Sequence, residues 1–196
     1  MDFTQKQNIR MASALLLFTA LSQAIYTLLY VVAKDVPRLW LWGIEGVVFV
    51  LLAAIAGSAL VQAKSNSLGF SAIMVSAILN LIQVSIGLTQ FGAFREAAQN
   101  IEGIAPAAGG VVAFSFFIYN GAKVLLGLSA IVFGTAVLQS GSKLLGRLTI
   151  LVGAIALSAN AIVMVMGRIQ AIPSGASGVV ATLFLAICVY KLASDD

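Results

Sequence analysis

Glu45 and Lys123 stand out chemically from their surroundings, because each interrupts a long apolar run. An ionisable side chain inside a bilayer costs at least about 2.5 kcal/mol at its centre, so such residues usually pair or line water. The expectation is a Glu45–Lys123 pair between two helices. The alternative is that each side chain reaches separately to the headgroups, which a shallow depth makes easy.

Uncharged polar residues at helical spacing extend this chemistry. Ser76, Asn80, Gln83, Gly87 and Gln90 step by four and three residues, so they share one helix face. A weaker stripe is Thr19, Gln23, Tyr26 and Tyr30, and a third is Ser115, Tyr119 and Lys123 with Asn120 beside them. Carboxamides carry both donors and acceptors. Asn80, Gln83, Asn160, Tyr119, Asn120, Gln23 and Tyr26 are therefore the candidates to line a hydrated path or a small-solute site. The competing reading is interhelical hydrogen bonding, worth about 0.6 kcal/mol per contact on average.

Much chemistry is excluded. The chain has no histidine, which removes His-ligated haem, the usual zinc sites and imidazole acid–base catalysis. Its one cysteine, Cys188, lies in the last apolar run, so neither a disulfide framework nor a thiolate cluster is available. Glu96 and Glu102, like Glu45, lack a catalytic partner type, and Gly109-Gly110 is followed by no Gly-Lys-Ser/Thr. The absence of a long charged run argues against nucleic acid. No enzyme, metal or cofactor is expected.

The elements that must position these residues follow from composition. Of 196 residues, 61% are hydrophobic and 9% charged, with mean hydropathy +1.05. A soluble domain carries roughly 25% charged residues. The predicted class is all-α: a single integral membrane domain of six transmembrane helices with the bilayer as its partner. A span needs about 20 apolar residues, and the runs 11–32, 39–61, 68–90, 111–138, 144–166 and 174–190 qualify. Lys6, Arg10 and the small-x-small triplet Ser22-Gln23-Ala24 also resemble a signal peptide, but the run continues to Val32 and reads as an uncleaved helix.

An internal echo organises the centre. Gly57-Ser58-Ala59-Leu60-Val61-Gln62 is answered 77 positions later by Gly134-Thr135-Ala136-Val137-Leu138-Gln139. A parallel duplicated hairpin of helices 2–3 and 4–5 is the expectation, with chance matching of Ala, Leu and Gly as the alternative. The offset sets Lys123 opposite position 46 and Gln83 opposite Asn160. It also leaves 104–117 as an extra piece of the over-long fourth run, either helix extension or interfacial segment. Ala53-x-x-x-Gly57 recurs as Ala130-x-x-x-Gly134, small residues that let helices approach closely.

Phe91, Phe94, Ala98 and Ile101 share a face that excludes Arg95, Glu96, Gln99, Asn100 and Glu102. That pattern reads as an amphipathic segment at the outer interface, either a helix extension or simple anchor, or else a lid or a docking surface. Lys6, Arg10, Lys64, Lys143, Arg147 and Lys191 fall on one side, and Lys34, Arg38, Arg95 and Arg168 on the other. Positive-inside then places both termini in the cytoplasm. The functional expectation is a channel or carrier for an ion or small polar solute. The alternative is a non-catalytic subunit or scaffold that binds a membrane protein or itself as a homo-oligomer.

Overall fold

The computed structural model describes residues 3–33, 36–167, 169 and 173–195. Runs rich in leucine, alanine and isoleucine form helices whose backbone groups are satisfied internally, as a bilayer demands. These are α1 (Gln5–Val32), α2 (Leu39–Gln62), α3 (Ser67–Thr89), α4 (Phe91–Asn100), α5 (Ala105–Gln139), α6 (Lys143–Met166) and α7 (Ser174–Asp195). They make six helices long and apolar enough to cross a membrane, α3 and α4 together forming the one over Ser67–Asn100, and no strand occurs among the described residues. The protein is an all-helical, multi-pass membrane bundle.

Local chemistry sets the ends. α1 starts at Gln5, earlier than hydropathy indicates, because Thr4 and Gln7 form a reciprocal cap: Gln7 N–H donates to Thr4 Oγ1 at 3.3 Å, and Thr4 N–H to Gln7 Oε1 at 2.9 Å. Pro106 sits in the first turn of α5, where its missing N–H costs no helical bond. The tight α5–α6 turn uses Gly141 at φ 103°, a conformation closed to most side chains.

Packing arranges five helices as a closed ring. α1 packs on α2, α2 on α3, α3 on α5, α5 on α7, and α7 on α1. α6 stands outside, in the groove between α5 and α7. Chain direction puts the N-terminus and the α2–α3 and α5–α6 turns on one face, here the N-terminal face. The ends of α1 and α6, the starts of α2 and α7, and α4 lie at the opposite face. The outer surfaces of the helices expose Leu21, Leu28, Val47, Leu51, Leu151 and Ile155, as lipid solvation allows.

Toward the N-terminal face the ring is filled by Leu16, Leu52, Ala56, Ile73, Leu126, Ala130, Leu185 and Val189. There Phe70 and Phe133 meet edge to face at 4.9 Å. Phe133 can lie flat on α3 only because position 69 is glycine; a Cβ there would fall 2.5 Å from the ring.

The structure bears on three expectations. Of the two alternatives for 104–117 it shows the helix extension: Ile104 is the N-cap of α5, which runs unbroken for 35 residues, about 52 Å at the α-helical rise. The amphipathic segment is α4, which follows α3 through the αR residue Gln90 and packs beside the start of α5. Phe91, Phe94 and Ala98 share a groove of about 360 Å³ with Ala105, Ala108 and Val112. Of the alternatives for this segment, the structure shows the helix extension, Ser67–Asn100 running alongside the start of α5. Duplication is not shown. Under the 77-residue offset Gly69 corresponds to Gly146 and should face α2, yet it lies beneath Phe133 of α5.

Candidate functional site

α1, α2 and α5 bring polar side chains together inside the ring, on the side of the apolar plug away from the N-terminal face. Lys123 is 0% exposed and Glu45 2%. The ammonium of Lys123 donates to Gln23 Oε1 at 2.6 Å and stands 5.0 Å from the centroid of the Tyr119 ring, one turn earlier on α5. Its aliphatic stem rests on Gly178 of α7, where a Cβ would come within 2.7 Å of it. Glu45 accepts a hydrogen bond from Ser22 Oγ at 2.7 Å, its only donor among the described residues.

The expected direct pair does not form. α2 and α5 are not neighbours in the ring, and no ion-pair contact joins the two residues. The adjacent α1 residues Ser22 and Gln23 each bond one of the two charged groups. The two groups nonetheless meet consecutive residues of one α1 turn, Ser22 and Gln23. A neutral hydroxyl and a neutral carboxamide thus do the holding.

Above this cluster sits an aromatic cap. Tyr26, one turn beyond Ser22, stacks on Trp42, one turn before Glu45, at 5.2 Å. Phe91 meets Trp42 edge-on at 5.9 Å. The Arg38 guanidinium lies 5.7 Å from the Tyr26 ring and 5.1 Å from Tyr30, within cation–π range. The Trp42 ring packs directly against Gly87 of α3, where any side chain would collide with it. The polar cluster is therefore enclosed by aromatic rings on one side and by the aliphatic plug on the other.

The remaining polar candidates separate into different places. Ser76 Oγ donates to the Ala122 carbonyl at 2.9 Å and Gln83 Nε2 to Ser115 Oγ at 3.4 Å, both joining α3 to α5. Asn80, Asn120 and Asn160 each turn the amide nitrogen onto the carbonyl four residues earlier: Ser76 at 2.9 Å, Phe116 at 2.6 Å and Ala156 at 2.7 Å. Their Oδ1 atoms are buried with no partner. Asn160 also donates to the Ser174 carbonyl at 3.3 Å and belongs to the α6–α7 side. Gln83 and Asn160 are not brought together, since α3 and α6 do not touch.

Two groups lie outside the sequence expectation. Ser22 was legible only as part of a small-x-small triplet, although it neighbours Gln23 and is the Glu45 donor. At the N-terminal face Asn8 donates to Ser58 Oγ at 2.8 Å and Gln62 Oε1 at 3.0 Å, tying α1 to α2. The pattern Asn8 to Ser22 spans polar and apolar stretches, and hydropathy splits them.

The packing glycines also redistribute. Gly57 has only the Met74 sulfur nearby, at 3.2 Å from a would-be Cβ. Gly134 faces the α6 backbone, in a seam that also contains Gly127, Gly146 and Gly153. Ala130 lies in this seam and in the core, whereas Ala53 packs at the edge of the core. Among the described residues no group of His, Cys, Asp and Glu side chains has the arrangement of a metal site. Compared with protein-family models, curated proteins and solved structures, the chain matches none.

Proposed function

We propose that this protein is a small carrier that moves a polar solute across the membrane through the enclosed cluster around Lys123 and Glu45. The observation that carries the reading is a buried ammonium and a buried carboxylate outside ion-pair contact, each on a neutral α1 partner. Structural glue would draw the charges together, because a direct pair offsets part of each ion's desolvation cost. Charges held apart keep hydrogen-bonding capacity for something else. A carrier suits the arrangement better than an open channel, since apolar packing fills the ring toward the N-terminal face.

The scaffold reading draws less support. Gly134, its strongest candidate for an external contact, is spent on α6 within the chain. In the carrier reading the N-terminal face, with Lys6, Arg10, Lys64, Lys143, Arg147 and Lys191, looks toward the cytoplasm, so both termini are cytoplasmic. The test is flux of small polar solutes into vesicles holding the purified chain. Glu45→Gln and Lys123→Met should each lower flux at least tenfold, while the lipid-facing Leu151→Val leaves it unchanged. Folded variants with full flux, or an unaltered protein that moves no solute, would reject the reading.

A further inference from the structure

We infer that the solute is a small zwitterion carrying an anionic and a cationic group, with its anionic end on Lys123 and its cationic end on Glu45. This deepens the carrier reading and rests on it. The first argument is valence. An ammonium has three donors, and the protein supplies Lys123 with one acceptor, Gln23, besides the face of Tyr119. A carboxylate offers about four lone-pair sites, and the protein supplies Glu45 with one donor, Ser22. The unused capacity is therefore donor at one end and acceptor at the other. A ligand that fills both presents an acceptor anion and a donor cation.

The second argument is charge balance. The cluster holds one formal positive and one formal negative charge, both buried. A singly charged solute entering it would leave an uncompensated charge within the membrane, which is costly. A zwitterion adds none. A neutral polar solute also balances, but it would meet two ions with weaker, uncharged hydrogen bonds. The third argument is the spacing. Ser22 and Gln23 are consecutive on one helix and each bonds one charged group, with no ion-pair contact between the two. A molecule with its own charges a few bonds apart can meet two such neighbouring, unpaired groups at once.

The experiment uses the full chain in neutral phosphatidylcholine vesicles. Glycine, β-alanine and γ-aminobutyrate are the zwitterionic probes, because they set the charges progressively further apart. Acetate, methylammonium and glycerol are the anionic, cationic and uncharged controls. The expected result is saturable uptake of at least one zwitterion, with at least tenfold preference over every control. Lys123→Gln should then shift preference toward methylammonium, and Glu45→Gln toward acetate, a crossing that a merely structural role would not produce.

If either variant fails to fold, the probe panel on the unaltered protein still decides. Uptake of acetate, methylammonium or glycerol equal to or above all three zwitterions overturns this inference and leaves the carrier reading standing. Uptake of none of the six overturns both.

Discussion

An ammonium inside a lipid-facing bundle must find its acceptors within the reach of its own side chain. Lys123 does so by running toward the start of α5, over the Tyr119 ring, to Gln23. The ion is affordable only while that carboxamide is present. Gln23→Leu should therefore destabilise the protein by about 1.5–3 kcal/mol, the usual worth of a hydrogen bond to a charged group. Lys123→Met, which removes the charge and keeps the length, should cost less. Combined with Gln23→Leu it should restore most of the loss, because no orphaned ion remains. Thermal unfolding in detergent of the two single variants and the double variant reads this directly. If Gln23→Leu unfolds at the temperature of the unaltered chain, the bond does not hold the ion.

Between helices, the closest approach lies in the α5–α6 seam. A Cβ on Gly153 would stand 2.8 Å from the Gly127 carbonyl oxygen, and one on Gly146 would stand 2.6 Å from the Leu138 nitrogen. Each obstacle is backbone, which cannot rotate aside. Without a hydrophobic drive between helices in lipid, this proximity supplies the dispersion contacts that hold α6 outside the ring. Gly153→Ala should cost about 1–3 kcal/mol, as overpacking does. Gly57→Ala should cost nothing or stabilise slightly, since only the flexible Met74 sulfur is near and alanine favours a helix. Equal unfolding midpoints for the two variants would contradict the seam.

The same comparison shows what can be read from order along the chain. Ala53/Gly57 and Ala130/Gly134 are identical as motifs, and hydropathy finds every helix that carries them. Which glycine meets a backbone depends on the helix opposite, and that information is not local. The Glu45–Lys123 expectation failed in the same way. Both residues were legible as charges inside apolar helices, but that α2 and α5 are not neighbours in the ring was not. Ser22 and Asn8 were missed because single hydroxyls and carboxamides barely change the hydropathy of a run. The length of α5 was obscured by an offset that the architecture does not support.

For the molecule as a whole, the decisive property is which surface faces which compartment. Ser65, in the α2–α3 turn, and Glu102, between α4 and α5, are both exposed and lie at opposite ends of the bundle. Cys188 is 0% exposed and contacts Thr149 at 3.1 Å, so it supplies an internal blank for thiol labelling. A membrane-impermeant maleimide applied to intact cells should label Glu102→Cys at once. Ser65→Cys should react only after permeabilisation, and the native cysteine only after denaturation. That order follows from six crossings together with the basic residues gathered at the N-terminal face. Labelling in the reverse order would keep the six crossings and invert the orientation. Labelling of both positions from one side would break the alternation of helices on which the enclosed cluster depends, because Ser22, Glu45 and Lys123 reach common depth only if α1, α2 and α5 each cross the bilayer in full.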